Sequence, residues 1–441
     1  MRAHLSNAAY GVLDYVAYPA GLLVVAPIAL RTLGVSQFGV WMTANAALTI
    51  GSVIASGFGD ANIRYVSLSR RGNSQTRLLR SVRNTMGIHV VLGAAIALLV
   101  WILATPAAAR IASSNAALRV ECLWSLRIAS LLIFVRAVET VCVSTQRALE
   151  RYGAAVRLSV SARVLALAAA AALPLAKQGI VAVMIATAVF TVASVVMQLF
   201  QLNRLLDAQS LWPSFDREPI RALLGIGIFS WIQAVSGIAF GQVDRLITGV
   251  YLGAAAVASY ALCAQMAQPI YGIAASGLHF LFPYLSARTT SVSTSSLRRA
   301  VVAAFGANLL GIVVGAAVLL ALGTRLLTLW GGESIARAGG SVLPILVWST
   351  AAQALSVTGS YAMLALGRVR VVTLLNLAGG VASLLAMRWL LPRYGVHGIA
   401  MARLLYGPFT LLVYAPLAAL LFRKSTVPFR TDAAVAVCEE I

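Results

Sequence analysis

Apolar residues along this chain gather into long blocks separated by short polar turns, and a block of about 20 such residues is the length of helix that crosses about 30 Å of hydrocarbon. Windows of about 19 residues give about twelve spans, near 8–31, 38–63, 85–108, 120–145, 157–176, 178–203, 222–250, 253–280, 299–323, 341–366, 368–391 and 396–422. The longest connections, near 64–84 and 203–222, are too short to fold alone, so no attached soluble domain is expected. The pattern predicts an all-α, multi-pass membrane protein.

Composition sharpens that reading. The 441 residues are 60% hydrophobic and 11% charged, with a mean hydropathy of +0.88, against roughly 25% charged in a soluble domain. Thirty-four Lys and Arg against 13 Asp and Glu leave a formal charge of +21. An excess of that size can mark a nucleic-acid binder. Here the basic residues fall mainly in the short loops rather than in one domain or tail, as topology signals do, and no nucleic-acid partner is expected. With the N-terminus in the cytoplasm, 21 basic residues lie inside and seven outside, which places both termini in the cytoplasm and makes the number of spans even. The first block already holds Asp14 and Pro19 and lacks an A-x-A exit, so it is expected as an uncleaved helix. Cys122, Cys142, Cys263 and Cys438 have no paired spacing, which points to buried thiols rather than to a disulfide framework or a zinc site.

The two halves of the chain echo one another. Leu33-Gly34, followed by Phe38 and Trp41, is matched 219 positions later by Leu252-Gly253, Val257 and Tyr260. Gly179-Ile180 is matched by Gly398-Ile399 at the same offset, and Ser56-Gly57 by Ser276-Gly277 at 220. Duplication of a six-helix block follows, and an even number of spans per block makes the repeats parallel about an axis along the membrane normal. The expected parts are a six-helix bundle over 1–203, a cytoplasmic linker over 204–221, a second six-helix bundle over 222–423 and a cytoplasmic tail over 424–441, with a substrate path between the bundles.

Several stretches carry a family resemblance. Arg31-Thr-Leu-Gly-Val-Ser-Gln-Phe-Gly-Val-Trp41 resembles the first external turn of polysaccharide flippases of the Wzx type, in the superfamily that also holds multidrug and toxic compound extrusion transporters and the lipid II flippase. Asp244-Arg245-Leu-Ile-Thr-Gly-Val-Tyr-Leu-Gly253 resembles that family's seventh helix, and Phe282-Pro283-Tyr284-Leu285-Ser286 the exit of its eighth. Leu329-Trp330-Gly331-Gly332 and Tyr394-Gly395-Val396-His397-Gly398 fit the turns before the tenth and twelfth helices. The resemblance runs over nearly the whole chain. One departure is local: an acid often stands just before the first glycine of Ser56-Gly57-Phe58-Gly59-Asp60, whereas here it follows, at Asp60.

The resemblance implies a bacterial inner-membrane flippase that moves an undecaprenyl-(pyro)phosphate-linked oligosaccharide unit outward by alternating access, for O-antigen or exopolysaccharide synthesis. It works among membrane lipids, beside the polymerase and chain-length regulator of such a pathway, and without a cofactor. A cation-coupled multidrug exporter of the same superfamily is the alternative, and a membrane polysaccharide polymerase or ligase a third. The third needs a substantial external loop, and the external turns here are short.

Embedded charges choose between the first two. An ionised side chain at the centre of a span costs about 2.5–3.5 kcal/mol on insertion scales, so it is a functional candidate unless it can reach an interface. Six arginines, Arg127, Arg136, Arg163, Arg245, Arg388 and Arg403, lie within apolar blocks, against Asp14, Asp60, Glu139 and Asp244. A path for organic cations should lean acidic, whereas a phosphate-linked sugar calls for guanidinium groups that fork onto oxygens. Arg136 is the favoured anion contact, with Arg127, Arg163, Arg245 and Arg403 behind it; Arg388 is close enough to an interface to snorkel. Arg136 and Glu139, three residues apart near mid-span, share a helix face and can pair, while Arg127, nine residues earlier, faces the opposite way. Asp14, Glu139 and Asp244 are the candidates for charge pairing or for the coupling-ion role that resemblance to the drug exporters implies. No G-x-x-x-x-G-K-[ST], H-E-x-x-H or G-x-S-x-G run occurs, and His4, His89, His279 and His397 are scattered, so neither P-loop hydrolysis of ATP nor metal or serine catalysis is expected. Trp41, Trp330 and Trp389 are expected in an interfacial aromatic belt.

Overall fold

The computed structural model describes residues 2–71, 75–113, 115–207, 210–216, 228, 231–278, 281–286 and 294–422. The side chains of residues 2–16, Asp14 among them, and that of Asp60 lie outside the described set. The described residues contain helices and turns and no strand. Contacts divide the chain into two compact units, Met1–Leu262 and Cys263–Ile441.

The first unit opens with α1, Arg2–Ser56. At about 1.5 Å per residue its 55 residues would run far beyond one bilayer, and Gly34, at φ 79°, ψ 167°, divides it into two helices. A side chain is strained at that φ, which is why glycine stands at the turn. After it come α2 (Gly59–Arg71), α3 (Gln75–Ile111), α4 (Ala116–Ala148), α5 (Tyr152–Leu175) and α6 (Ile180–Leu205). Asn115 caps α4 by accepting a hydrogen bond from the Leu118 amide at 3.1 Å. A π-helical stretch, Val235–Ala239, leads into α7 (Phe240–Leu252), and Gly253 at φ 84° turns the chain into α8 (Ala254–Gly277). Within this unit α1 packs on α4 and α5, α4 on α3 and α6, α5 on α6, and α7 on α1 and α3. Gly39 packs so closely on the Gly253 turn that a Cβ there would stand 1.8 Å from the Ala254 carbonyl oxygen.

Polar cross-links lie inside this apolar bundle. Asn62 is buried and donates to Ser144 Oγ (2.7 Å) and Thr145 Oγ1 (2.9 Å) while accepting from Thr85 Oγ1 (3.0 Å), which ties α2 to α3 and α4. After α6 the chain folds back on α3. The Ser214 amide donates to the Arg83 carbonyl (3.1 Å), the Asp216 amide to Asn84 Oδ1 (2.5 Å), and Asn84 Nδ2 to the Asp216 carboxylate (3.0 Å).

The second unit takes the rest of α8, then α9 (Leu281–Ser286), α10 (Thr294–Gly339), α11 (Val342–Ala365), α12 (Val369–Leu404), α13 (Tyr406–Leu411) and α14 (Tyr414–Phe422). Gly332 (φ 77°) and Gly395 (φ 54°) interrupt α10 and α12 as Gly34 interrupts α1. The core of this unit includes Leu281, Leu297, Met363, Val372, Val413 and Leu417, and Asn308 crosses it to the Ala354 carbonyl (2.9 Å) and Thr358 Oγ1 (3.1 Å).

Seven described segments are long and apolar enough to cross a membrane. Three of them, Ala17–Ser67, Ser296–Gly339 and Val369–Leu421, contain those helix-breaking glycines. Large apolar side chains such as Leu98 (60% exposed), Val196 and Leu310 face outward, which suits hydrocarbon rather than water. The aromatic belt differs from expectation at one position. Trp389 is exposed, with the Arg393 guanidinium 5.7 Å from its ring, but Trp41 is 3% exposed and packs edge-on against Phe38.

Candidate functional site

Three of the arginines expected to contact an anion lie within electrostatic reach of one residue of the first unit, Tyr18. The guanidinium groups of Arg136 on α4, Arg245 on α7 and Arg163 on α5 all act electrostatically on the Tyr18 hydroxyl of α1. Tyr18 donates to Asn45 Oδ1 (3.2 Å), and Asn45 Nδ2 donates to the Trp41 carbonyl (3.0 Å), so the neutral part of the site is a phenol before the Gly34 break of α1 and an amide after it. Arg136 and Arg163 are half-buried and Arg245 is 6% exposed. Each guanidinium offers up to five donors in a planar fork. Guanidinium forks of this kind match the oxygens of a phosphate or carboxylate.

The other candidates stand elsewhere. Arg127 lies over two indoles, 4.9 Å from the Trp101 ring and 5.4 Å from Trp124, a cation–π arrangement on the opposite side of α4 from Arg136. Arg403 belongs to the second unit, where its charge acts on Tyr406 and its carbonyl accepts from Ser349 Oγ (3.0 Å). Arg388 is exposed. Asp244 is fully buried beside Arg245; its Oδ2 accepts from the Tyr260 hydroxyl at 2.6 Å and its Oδ1 from the Arg245 amide at 2.8 Å, which joins α7 to α8. Glu139, the possible i+3 partner of Arg136, points toward α5 and α6, where Oε1 accepts from Ser159 Oγ (2.8 Å) and Gln198 Nε2 (3.4 Å). Asp14 lies outside the described side chains.

Sequence reasoning did not single out Asn45, Ser159 or Gln198, and Tyr260 entered it only through the repeat echo. A signal existed for Gln198: a glutamine inside an otherwise apolar span needs a buried partner as an embedded charge does.

A family model described as polysaccharide biosynthesis protein matches residues 7–288. No curated protein sequence is a significant match to the chain. Among solved structures, the fold is similar to that of a multidrug resistance MATE family transporter of the MOP superfamily in an inward-facing conformation, at 15% identity and a TM-score of 0.72, over 94% of this chain and 96% of that one. It is also similar to the lipid II flippase MurJ in an inward closed conformation, at 12% identity and a TM-score of 0.74, over 94% of this chain and 87% of that one. A MATE transporter of Vibrio cholerae is 17% identical, with a TM-score of 0.62 over 96% and 98% of the two chains. Those identities carry the fold and no more.

Proposed function

The chain belongs to the polysaccharide biosynthesis protein family, and on that premise we propose that it is a flippase moving an undecaprenyl-(pyro)phosphate-linked oligosaccharide repeat unit from the cytoplasmic to the outer leaflet of a bacterial inner membrane. About twelve crossings, in two six-helix halves over 1–203 and 222–423 with both termini inside, alternate access to a path that admits the sugar-phosphate head while the lipid tail stays in the bilayer. The observation that carries this reading is that Arg136, Arg163 and Arg245, on three helices, all lie within electrostatic reach of Tyr18. Three cations on three helices suit a pyrophosphate, whose charge they share, and leave the Tyr18–Asn45 pair for neutral hydroxyls of the sugar.

Arg127 and Arg403 are secondary contacts for the same head. Asp14, Glu139 and Asp244 serve charge pairing or ion coupling, and the translocated unit passes to a polymerase with its chain-length regulator. The exporter reading shares the fold, but the arginine cluster counts against it.

Binding tests the reading directly. Undecaprenyl pyrophosphate should raise the thermal unfolding temperature of the purified protein in detergent, and undecaprenol, which lacks only the charged head, should not. Arg136→Ala and Arg163→Ala should each weaken the shift. Equal shifts with both lipids, or a shift with a lipophilic organic cation alone, would overturn the proposal.

A further inference from the structure

Arg127 stands on a surface that faces hydrocarbon. On α4 the exposed residues Val120, Trp124 and Leu131 recur at helical spacing around it, four before, three before and four after in turn, so all share one stripe of the helix. The neighbouring α3, which packs on α4, exposes Leu98, Ile102 and Leu103. Between these two helices the guanidinium carbon lies 4.9 Å from the centre of the Trp101 ring and 5.4 Å from that of Trp124, and both indoles are more than a third exposed. Its Nε is buried and has no hydrogen-bond partner among the described residues. Ring faces attract a cation but supply no counter-charge, and a charge on such a surface is costly without one. The Cβ atoms of a helix tilt toward its N-terminus, so the Arg127 side chain leans toward the end where α3 stops at Ile111 and α4 begins at Ala116. At that end Arg110 is exposed and Arg119 donates to the Ser113 carbonyl at 3.0 Å.

We propose that Arg127, Trp101 and Trp124 form a binding site for the phosphate group of an anionic bilayer phospholipid of the phosphatidylglycerol kind. The guanidinium forks onto phosphate oxygens. The two indoles offer an apolar body to the acyl chains and an N–H to the polar layer, which suits the level where hydrocarbon gives way to headgroups. Charge matching selects the occupant. A phosphodiester carries one negative charge, which one guanidinium balances, whereas the pyrophosphate of a lipid-linked unit carries more and is the better match for the three arginines that act on Tyr18. A zwitterionic phospholipid brings its own cation and gains less from an arginine. The link to transport rests on the flippase reading: a lipid-linked head reaches Arg127 from the bilayer side, by displacing the phospholipid held there.

Native mass spectrometry of the full-length protein tests the site without any transport assay, after delipidation in detergent and titration with phosphatidylglycerol or with phosphatidylcholine of the same chains. Wild type should bind phosphatidylglycerol about tenfold more tightly than phosphatidylcholine, and Arg127→Gln should lose that preference. Joint Trp101→Leu and Trp124→Leu substitution, which leaves the arginine in place, should weaken phosphatidylglycerol binding about threefold. Arg388→Gln, which removes an exposed arginine of α12, should leave it unchanged. Should Arg127→Gln fail to fold, Arg127→Lys, which keeps the charge and loses the fork, carries the comparison and should weaken binding about threefold. Equal binding of the two lipids by wild type, a preference that survives substitution of Arg127, or the same loss in Arg388→Gln would overturn the proposal. Phosphatidylglycerol binding that depends on Arg127 while undecaprenyl pyrophosphate fails to raise the unfolding temperature would uphold this site and sink the flippase reading.

Discussion

The break between α1 and α2 makes a quantitative prediction through Gly57. A Cβ at this position would stand 1.4 Å from Trp231 Cδ1 and 2.3 Å from Nε1, so Gly57→Ala must displace the indole. That indole stacks on Phe58 with ring centres 5.9 Å apart and planes at 12°, and its Nε1 donates to the Ile54 carbonyl at 2.9 Å. Ile54 lies in the last turn of α1, where carbonyls lack a helical donor, so Trp231 satisfies a group the helix leaves open. Losing a hydrogen bond costs about 1 kcal/mol and losing an aromatic pair about 1 kcal/mol. Gly57→Ala should therefore destabilise the protein by about 2 kcal/mol, and Trp231→Phe, which keeps a ring but no donor, by about 1 kcal/mol. Unfolding of single and double variants in detergent gives the coupling. If the displaced indole is the whole cause, Gly57→Ala in a Trp231→Ala background should cost less than about 0.5 kcal/mol. Full additivity of the two substitutions would refute the reasoning.

Other consequences are equally open to measurement. Gly39→Val sets side-chain atoms against the Ala254 backbone, which cannot swing away, and should lower the unfolding temperature more than Gly57→Ala does. Asn62→Ala removes three buried hydrogen bonds among α2, α3 and α4 and should cost about 2–3 kcal/mol, read by the same unfolding assay. On the linker, the Arg80–Asp216 ion pair at 3.3 Å is more than two-fifths exposed on both sides, so Arg80→Ala should change stability by less than about 1 kcal/mol, while Asn84→Ala, at a fully buried position with two bonds to Asp216, should speed proteolysis of the 204–216 segment.

Much of the fold was legible because hydrocarbon imposes a length on every span, and apolar blocks of that length cannot be hidden. The glycine echo was legible for a related reason: Gly34 and Gly253 share φ values of 79° and 84°, a turn that side chains resist. What stayed hidden depends on partners distant in sequence. The i+3 spacing of Arg136 and Glu139 suggested an ion pair, yet Glu139 bonds to Ser159 and Gln198, 20 and 59 positions away. Trp41 matched an interfacial tryptophan in position but is buried against Phe38, a packing that one chain's composition does not reveal. The arginines were identified as a set; that Arg136, Arg163 and Arg245 all act on Tyr18 depends on how α1, α4, α5 and α7 pack, which spacing along the chain does not show.

The central claim is tested most directly in a deletion strain of the host, by assaying surface polysaccharide and the leaflet in which lipid-linked repeat units accumulate, with complementation by wild type and by Arg136→Ala. The flippase account predicts loss of polymer, units held on the cytoplasmic leaflet, and rescue by wild type but not by Arg136→Ala. Normal polymer in the deletion strain, with heightened sensitivity to cationic drugs, would contradict it.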